Sequence, residues 1–301
     1  MAYPRACSAA AFATLLVLSA CAQRGTASPP PDPAPSPSAQ LPADGAALVL
    51  RVEYVGGFVT PSTLAGRLPI ASVYADGRVI VEGPMAAIHP AFAWPNVQVV
   101  ELGRDGVQEL ADHALAAGVA ETGDLGMPPI ADVPSTRFTL VTPDATHVRE
   151  VYGLSATAGM PDSGLTPAQE AARQELGHLV TRVTDLGLTE AGDEPPESYL
   201  PAAVAAIVRP WTAAEEDVAQ GLTPPPLPWP GPALPGTPLG PLGPLPDLTC
   251  VTATGAEATA VIEAAGKANM LTPWLSADGS RWSVLFRPLL PDESGCADLG
   301  D

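Results

Sequence analysis

Proline is unevenly distributed along this chain of 301 residues, and its distribution limits where a folded core can form. Two stretches of the chain, residues 22–45 and residues 222–246, are especially rich in its 37 prolines. Proline lacks a backbone N–H and has a fixed φ, so such stretches interrupt helices and central strands. The sequence therefore predicts an α+β domain at residues 47–222 and a C-terminal unit at residues 248–301, separated by a Pro-rich strap at residues 223–247.

The Pro-rich strap carries Trp229 and several leucines, which flexible linkers seldom contain. We therefore expect an extended segment that lies partly on the domain surface. A linker without contacts and a Pro-rich ligand for aromatic grooves are the alternatives.

Acidic residues outnumber basic ones, 33 to 14, which gives a net charge of −19. No basic stripe occurs in the sequence, so nucleic acid is not an expected partner, and neither is an anionic bilayer surface. We interpret the acidity as a solvated surface that resists association, with cation binding as the alternative. Hydrophobic residues make up 46% of the chain and aromatic residues 5%, so we expect a core of Val, Leu, Ile and Ala.

The amino terminus has the pattern of an export signal. Residues 9–18 form a short apolar run behind Arg5, and a membrane-spanning helix needs about twice that length. The next residues complete Leu18-Ser19-Ala20-Cys21, which resembles the bacterial lipobox. That resemblance implies that residues 1–20 are a signal peptide, that Cys21 is acylated, as by palmitate, and that it becomes the first residue of the mature protein. The alternative is an ordinary cleaved signal with an incidental cysteine.

Residues 21–46 are dominated by Pro, Ser and Ala and show no apolar periodicity. Such a segment buries too little surface to fold, so we expect a disordered tether. Together with the lipobox resemblance, this predicts an exported protein anchored to the outer face of the cytoplasmic membrane. Its membrane contact would be made through the lipid.

The pattern of residues 47–222 predicts hairpins and helices in alternation. Strands are expected at residues 47–55, 70–75, 78–82 and 96–102, with Asp76-Gly77 as a two-residue turn. Residues 136–154 predict a second hairpin, and helical spacing occurs at residues 104–118 and 166–187. Residues 201–211 fit either a buried strand or a short helix. The prediction is antiparallel sheets built from hairpins, with two to three packed helices.

The C-terminal unit reads as a strand, a helix and a hairpin, with Trp282, Val284 and Phe286 on one strand face. Outside the signal peptide and Cys21, its only cysteines are Cys250 and Cys296. In an exported protein, two such cysteines are expected to form a disulfide, which would pin this unit. A redox pair is the alternative, but it lacks Cys-x-x-Cys spacing.

Motifs that carry known chemistry are absent from the sequence. The four histidines show no metal-ligand spacing, although Glu175 and His178 form one Glu-x-x-His. His147 with Asp144 or Glu150 is the nearest approach to a catalytic group. We therefore predict no catalytic residue, no metal site and no cofactor.

The stretches "VLRVEYVGGFV", "PIASVYADGRVI" and "RWSVLFRPLLPDE" resemble a group of uncharacterised secreted or lipid-anchored proteins of high-GC Gram-positive bacteria. This resemblance implies an envelope location but supplies no activity. Our first hypothesis is a non-enzymatic, lipid-anchored module that binds an envelope protein or a wall ligand. The alternative is a cell-envelope hydrolase with an unrecognised active site.

Overall fold

The structure, a computed structural model, describes residues 38–189, 196–239 and 248–299. These residues form two sheets and five α-helices within one unit, Ser36–Asp301, which confirms the α+β class. The helices are α1 (Pro61–Gly66), α2 (Gly103–Ala116), α3 (Pro167–Thr189), α4 (Glu215–Ala219) and α5 (Gly255–Ala265). None of these described helices combines the length and the hydropathy needed to cross a membrane.

The first sheet is antiparallel throughout its described strands. The strands are β1 (Leu48–Val55), β2 (Ala71–Tyr74), β3 (Arg78–Glu82), β4 (Val97–Glu101), β5 (Ser135–Val141), β6 (Thr146–Tyr152) and β7 (Glu197–Ser198). Their order across the sheet is β6-β5-β1-β2-β3-β4-β7. Both predicted hairpins are confirmed: β2 pairs with β3, and β5 pairs with β6.

Local sequence explains the turn between β2 and β3. Gly77 has a backbone φ of +109°, a value that residues with a Cβ atom rarely adopt. A Cβ at this position would also lie 2.8 Å from Cα of Gly103, so the turn and the start of α2 approach each other closely. Asp76 supports the turn because its side chain accepts a hydrogen bond from the Arg78 N–H at 3.1 Å.

Helices α2 and α3 cover one face of the first sheet. That face contributes fully buried side chains such as Val52 and Phe138, which pack with Val107 of α2 and Leu176 of α3. The predicted start of α3 is confirmed by its cap. The N–H of Gln169 donates to Thr166 Oγ1 at 3.3 Å, and the N–H of Thr166 donates to Gln169 Oε1 at 2.9 Å.

The second sheet brings together strands that are far apart in sequence. They are β8 (Ala203–Pro210), β9 (Leu227–Pro228), β10 (Thr237–Pro238), β11 (Thr249–Thr254), β12 (Trp274–Leu275) and β13 (Arg281–Pro288), in the order β10-β11-β8-β13-β12-β9. The segment that fits a strand or a helix is the strand β8, whose five consecutive residues 204–208 are all buried. A central strand covered on both faces has such a continuous apolar run.

Residues 223–239 of the Pro-rich strap contact the second sheet. The segment pairs with the sheet at both of its edges, through β9 and β10. Between these strands Trp229 packs on Trp274 and Phe286, with ring centroids 5.7 Å and 6.3 Å apart. Prolines suit edge strands, since an edge residue needs no N–H for a further neighbour. Residues 240–247 lie outside the described residues.

The predicted boundary at residue 222 does not separate the two sheets. β8 precedes it in sequence, yet β8 lies between β11 and β13 of the C-terminal unit. The C-terminal strands therefore complete a sheet whose centre comes from the predicted larger domain. The disulfide between Cys250 and Cys296 is confirmed, with Cα atoms 6.0 Å apart, and it ties the C-terminal segment to β11.

Candidate functional site in a charged cleft

The predicted lipid attachment residue, Cys21, lies outside the described residues. Cys250 and Cys296 form a disulfide and therefore have a structural role. Within the described ranges, no three His, Cys, Asp or Glu side chains are grouped so that they could hold a metal ion. Glu175 and His178 form an exposed contact at 3.8 Å.

The four histidines lie on different elements. His89 in the loop after β3 contacts Asp217 at 2.9 Å, and His113 on α2 contacts Glu109 at 3.3 Å. The His147 side chain on β6 forms no hydrogen bond or ion pair with any residue that the structure describes. Glu150 is three positions along the same strand, so its side chain points to the opposite face. The described residues therefore do not bring two histidines and a carboxylate together.

Charged side chains instead meet on the face of the first sheet that α2 and α3 leave uncovered. The floor of this charged cleft, which has a volume of about 570 Å³, is formed by β1, β5 and β6. Arg51 and Glu53 of β1, Arg137 of β5 and Glu150 of β6 line this floor. Strand alternation places residues 51 and 53 on one face, and the register sets Glu53 opposite Arg137 and Arg137 opposite Glu150.

The opposite wall of the charged cleft comes from α1, from β13 and from the C-terminal segment. Arg67 follows α1 and donates to the carbonyl oxygens of Tyr54, at 3.3 Å, and Gly56, at 2.9 Å. Arg287 of β13 and Glu293 complete this wall. The cleft therefore lies between the first sheet and the elements that pack on the second sheet.

One polar network fixes the C-terminal segment to the first sheet. Arg51 Nη2 lies 2.8 Å from Asp292 Oδ1, and the hydroxyl of Tyr74 donates to the same oxygen at 2.8 Å. Burial and the neighbouring carboxylate raise the pKa of the Tyr74 hydroxyl well above its ordinary value, so it remains a donor. These contacts set the distance between the floor of the charged cleft and its opposite wall.

A second, more deeply buried ion pair forms part of the opposite wall. Arg287 Nη2 and Glu293 Oε1 are 2.8 Å apart, and their side chains are 3% and 8% exposed. Glu293 Oε2 also accepts the backbone N–H of Leu290 at 2.8 Å. Burial lowers the pKa of the Arg287 guanidinium, and the charge of Glu293 opposes this shift. Glu293 is thus the partner that keeps a buried guanidinium compensated.

Glu53 has the electrostatic environment expected of a functional carboxyl. Burial raises the pKa of Glu53, while the nearby Arg51 and Arg137 act in the opposite direction. Arg137 lies between two carboxylates, 3.9 Å from Glu53 and 3.5 Å from Glu150. A carboxyl with a raised pKa that lines an open cleft can bind a polar ligand or transfer a proton.

Among these charged residues, sequence reasoning named only Glu150, as a possible partner of His147, and it did not predict the cleft. The alternation in "LVLRVEYV" already places Arg51 and Glu53 on one strand face. It does not show which strands are neighbours, nor that residues 292 and 293 return to this face. That information comes only from the paired strands and the C-terminal segment.

Comparison with protein-family models gives no match, and comparison with curated proteins finds no significant relative. The functional argument for this chain therefore depends on its own residues.

Proposed function

We propose that this chain is a lipid-anchored binding protein of the bacterial cell envelope, and that its charged cleft holds a polar ligand such as a wall polymer. The observation that carries this proposal is the concentration of guanidinium groups. Arg51, Arg67 and Arg137 line one cleft, with Arg287 buried in its wall, in a chain with only 14 basic residues and a net charge of −19.

The lining of the charged cleft also favours a polar, multifunctional ligand. The carboxylates Glu53 and Glu150 stand beside the arginines, so a ligand meets both hydrogen-bond donors and acceptors. Tyr152, which shares a strand face with Glu150, adds ring surface at the same place. Sugars and short peptides of a cell wall present matching hydroxyl, amide and carboxylate groups.

The envelope location is supported by two features. The lipobox-like sequence ends at Cys21, ahead of the Pro/Ser/Ala-rich tether. The disulfide between Cys250 and Cys296 is of the kind that persists in exported proteins.

Substitution of the lipid attachment residue tests the anchor. We expect Cys21→Ala to move the protein from the membrane fraction to the soluble fraction, because the acyl group would be its only apolar contact with the bilayer. Fractionation followed by immunoblotting measures the result. A variant that stays with the membrane would contradict the anchor.

Co-sedimentation with isolated, insoluble cell wall tests the cleft. The full chain carrying Cys21→Ser is compared with the same chain carrying either Arg137→Ala or Arg182→Ala. Arg137 lines the cleft, whereas Arg182 lies on α3 in an exposed ion pair with Glu109 at 3.5 Å. We expect Arg137→Ala to weaken sedimentation about tenfold, since a hydrogen bond to a charged group contributes about 1.5–3 kcal/mol.

We expect Arg182→Ala to leave sedimentation unchanged. Equal effects of the two substitutions, or no sedimentation of the parent chain, would refute a wall ligand in this cleft.

A second candidate function, an envelope hydrolase, is favoured by Glu53 alone. Its raised pKa suits a general acid that protonates a leaving group. If this is correct, the protein releases soluble fragments from isolated wall, and Glu53→Gln abolishes the release while co-sedimentation persists. If no fragments are released by the parent chain, the hydrolase is excluded and the binding function is unaffected.

A further inference from the structure

A second cavity lies beside the charged cleft and has a different character. It is a groove of about 510 Å³, and we call it the apolar groove. Its lining includes Ile207 of β8 and Leu285 of β13, which are cross-strand partners on one face of the second sheet. This volume lies within the range typical of small-molecule sites.

Large apolar side chains stand at the rim of the apolar groove. Met85, Phe92 and Met270 line it and are 70%, 65% and 55% exposed. Phe92 and Met270 come from two segments joined by backbone hydrogen bonds. The N–H of Met270 donates to the carbonyl of Ala91 at 2.9 Å, and Phe92 forms a β-bridge with Asn269. These backbone hydrogen bonds hold Phe92 and Met270 in place at the rim. The methionine side chains at the rim are flexible and can adapt to the shape of a ligand.

Two arginines in the lining of the apolar groove favour the binding of a negatively charged ligand. Arg67 and Arg209 both line it, and no carboxylate of a described residue lies within 4.0 Å of either guanidinium. The Arg67 guanidinium donates only to backbone carbonyls, and the exposed side chain of Arg209 forms no hydrogen bond or ion pair with any described residue. Glu82 is the one acidic side chain in the lining, so two guanidinium groups face one carboxyl.

An apolar floor with guanidinium groups at its edge is complementary to a molecule with an apolar chain and an anionic head. The chain would replace water on the exposed methionine and phenylalanine side chains, and each buried CH₂ favours binding. A guanidinium binds a carboxylate through two parallel hydrogen bonds, which a hydroxyl or ester head cannot reproduce.

We propose that the apolar groove binds a single-chain fatty carboxylate, with the alkyl chain along Phe92 and Met270 and the carboxylate on Arg209. This site is separate from the charged cleft and does not depend on the proposed wall ligand. Because Arg67 lines both cavities, Arg209 is the arginine whose substitution separates the groove from the charged cleft.

Isothermal titration of the full chain carrying Cys21→Ser, with oleate below its micelle concentration, tests the proposal. Methyl oleate is the uncharged probe. We expect saturable binding of one oleate per chain, at least tenfold tighter than binding of methyl oleate. Arg209→Gln should reduce that difference, because the guanidinium proposed to bind the carboxylate is removed. Arg104→Gln, at an exposed arginine outside the groove, should preserve it.

A second pair of variants tests the apolar wall. Phe92→Ser should weaken binding of both probes about tenfold through lost apolar contact. Phe58→Ser removes a phenylalanine that is 85% exposed and does not line the groove, so it should leave both affinities unchanged. Because both side chains are exposed, neither substitution should prevent folding.

Three results would overturn the proposal. They are an absence of saturable oleate binding, equal affinities for the two probes, and identical effects of Phe92→Ser and Phe58→Ser. Binding to vesicles of a double-chain phospholipid with no binding of oleate would assign the groove to a membrane surface instead.

Discussion

The buried ion pair between Arg287 and Glu293 provides a sharp test of how the C-terminal segment is held. Its side chains are 3% and 8% exposed, and the Glu293 carboxylate also accepts the Leu290 N–H. Glu293→Gln removes the charge and places an amide N–H₂ group against a donor. Removing one partner of a buried pair costs about 3–5 kcal/mol because the other charge remains buried. We expect that loss in the free energy of unfolding at neutral pH.

For a folded unit of this size, the loss corresponds to a fall in Tm of about 6–20 °C. The loss in the free energy of unfolding is measured by urea titration, followed by far-UV circular dichroism and by tryptophan fluorescence. Glu109→Gln is the matched control, since its pair with Arg182 has side chains 66% and 47% exposed. An exposed pair contributes about 0–1 kcal/mol.

The double variant Arg287→Met/Glu293→Leu should lose less stability than Glu293→Gln alone, because no buried charge remains. Equal stabilities for Glu293→Gln and Glu109→Gln would refute the reasoning.

Three further predictions concern stability. Reducing the Cys250–Cys296 disulfide, which closes a separation of 46 residues, should cost about 4 kcal/mol in the chain-entropy picture; an unchanged urea midpoint after reduction would contradict this. Glu53→Gln should raise the free energy of unfolding at neutral pH, measured by urea titration from pH 4 to 7. The folded state binds the Glu53 proton more tightly than the unfolded chain, so the wild type loses stability as the pH rises from the ordinary glutamate pKa through the raised one; a gain independent of pH would contradict this. Gly77→Ala should destabilise the folded state by about 1–3 kcal/mol because residue 77 has a positive φ. Gly177→Ala on α3, where a Cβ meets nothing within 4 Å, should stabilise the folded state by about 0.5–1 kcal/mol. Thermal melts with the same Tm for the two variants would contradict the strain argument.

The hairpins and the long helices could be predicted because their determinants are local. Asp76-Gly77 specifies a tight turn, and alternating apolar residues on both sides specify strands. Thr166 and Pro167 specify the start of α3 in the same way. Each of these features depends on residues within a few positions of one another.

The position of β8 could not be predicted in the same way. Its apolar run fits either a strand or a helix, and its partners begin at residue 249 and residue 281. A boundary drawn from the composition of the Pro-rich strap therefore divided a sheet whose strands lie on both sides of it. The strap itself pairs with the sheet at both edges. From Trp229, the sequence predicted surface contact but not this strand pairing.

The candidate site illustrates the same limit for charge. Alternation on β1 determines that Arg51 and Glu53 share a face. That this face meets Asp292, 241 positions from Arg51, is decided by the packing of the C-terminal segment. The raised pKa of Glu53 follows from that packing, since burial is its largest cause.

By itself, the sequence determined the local elements, the pairing of Cys250 with Cys296 and the lipobox-like motif at Cys21, because each depends on neighbouring residues or on a count of one residue type. The tertiary structure alone decided which strands are neighbours, which arginines have no carboxylate partner among the described residues, and where the cavities open. Those properties depend on contacts between residues far apart in the chain, and a local pattern carries no information about such contacts.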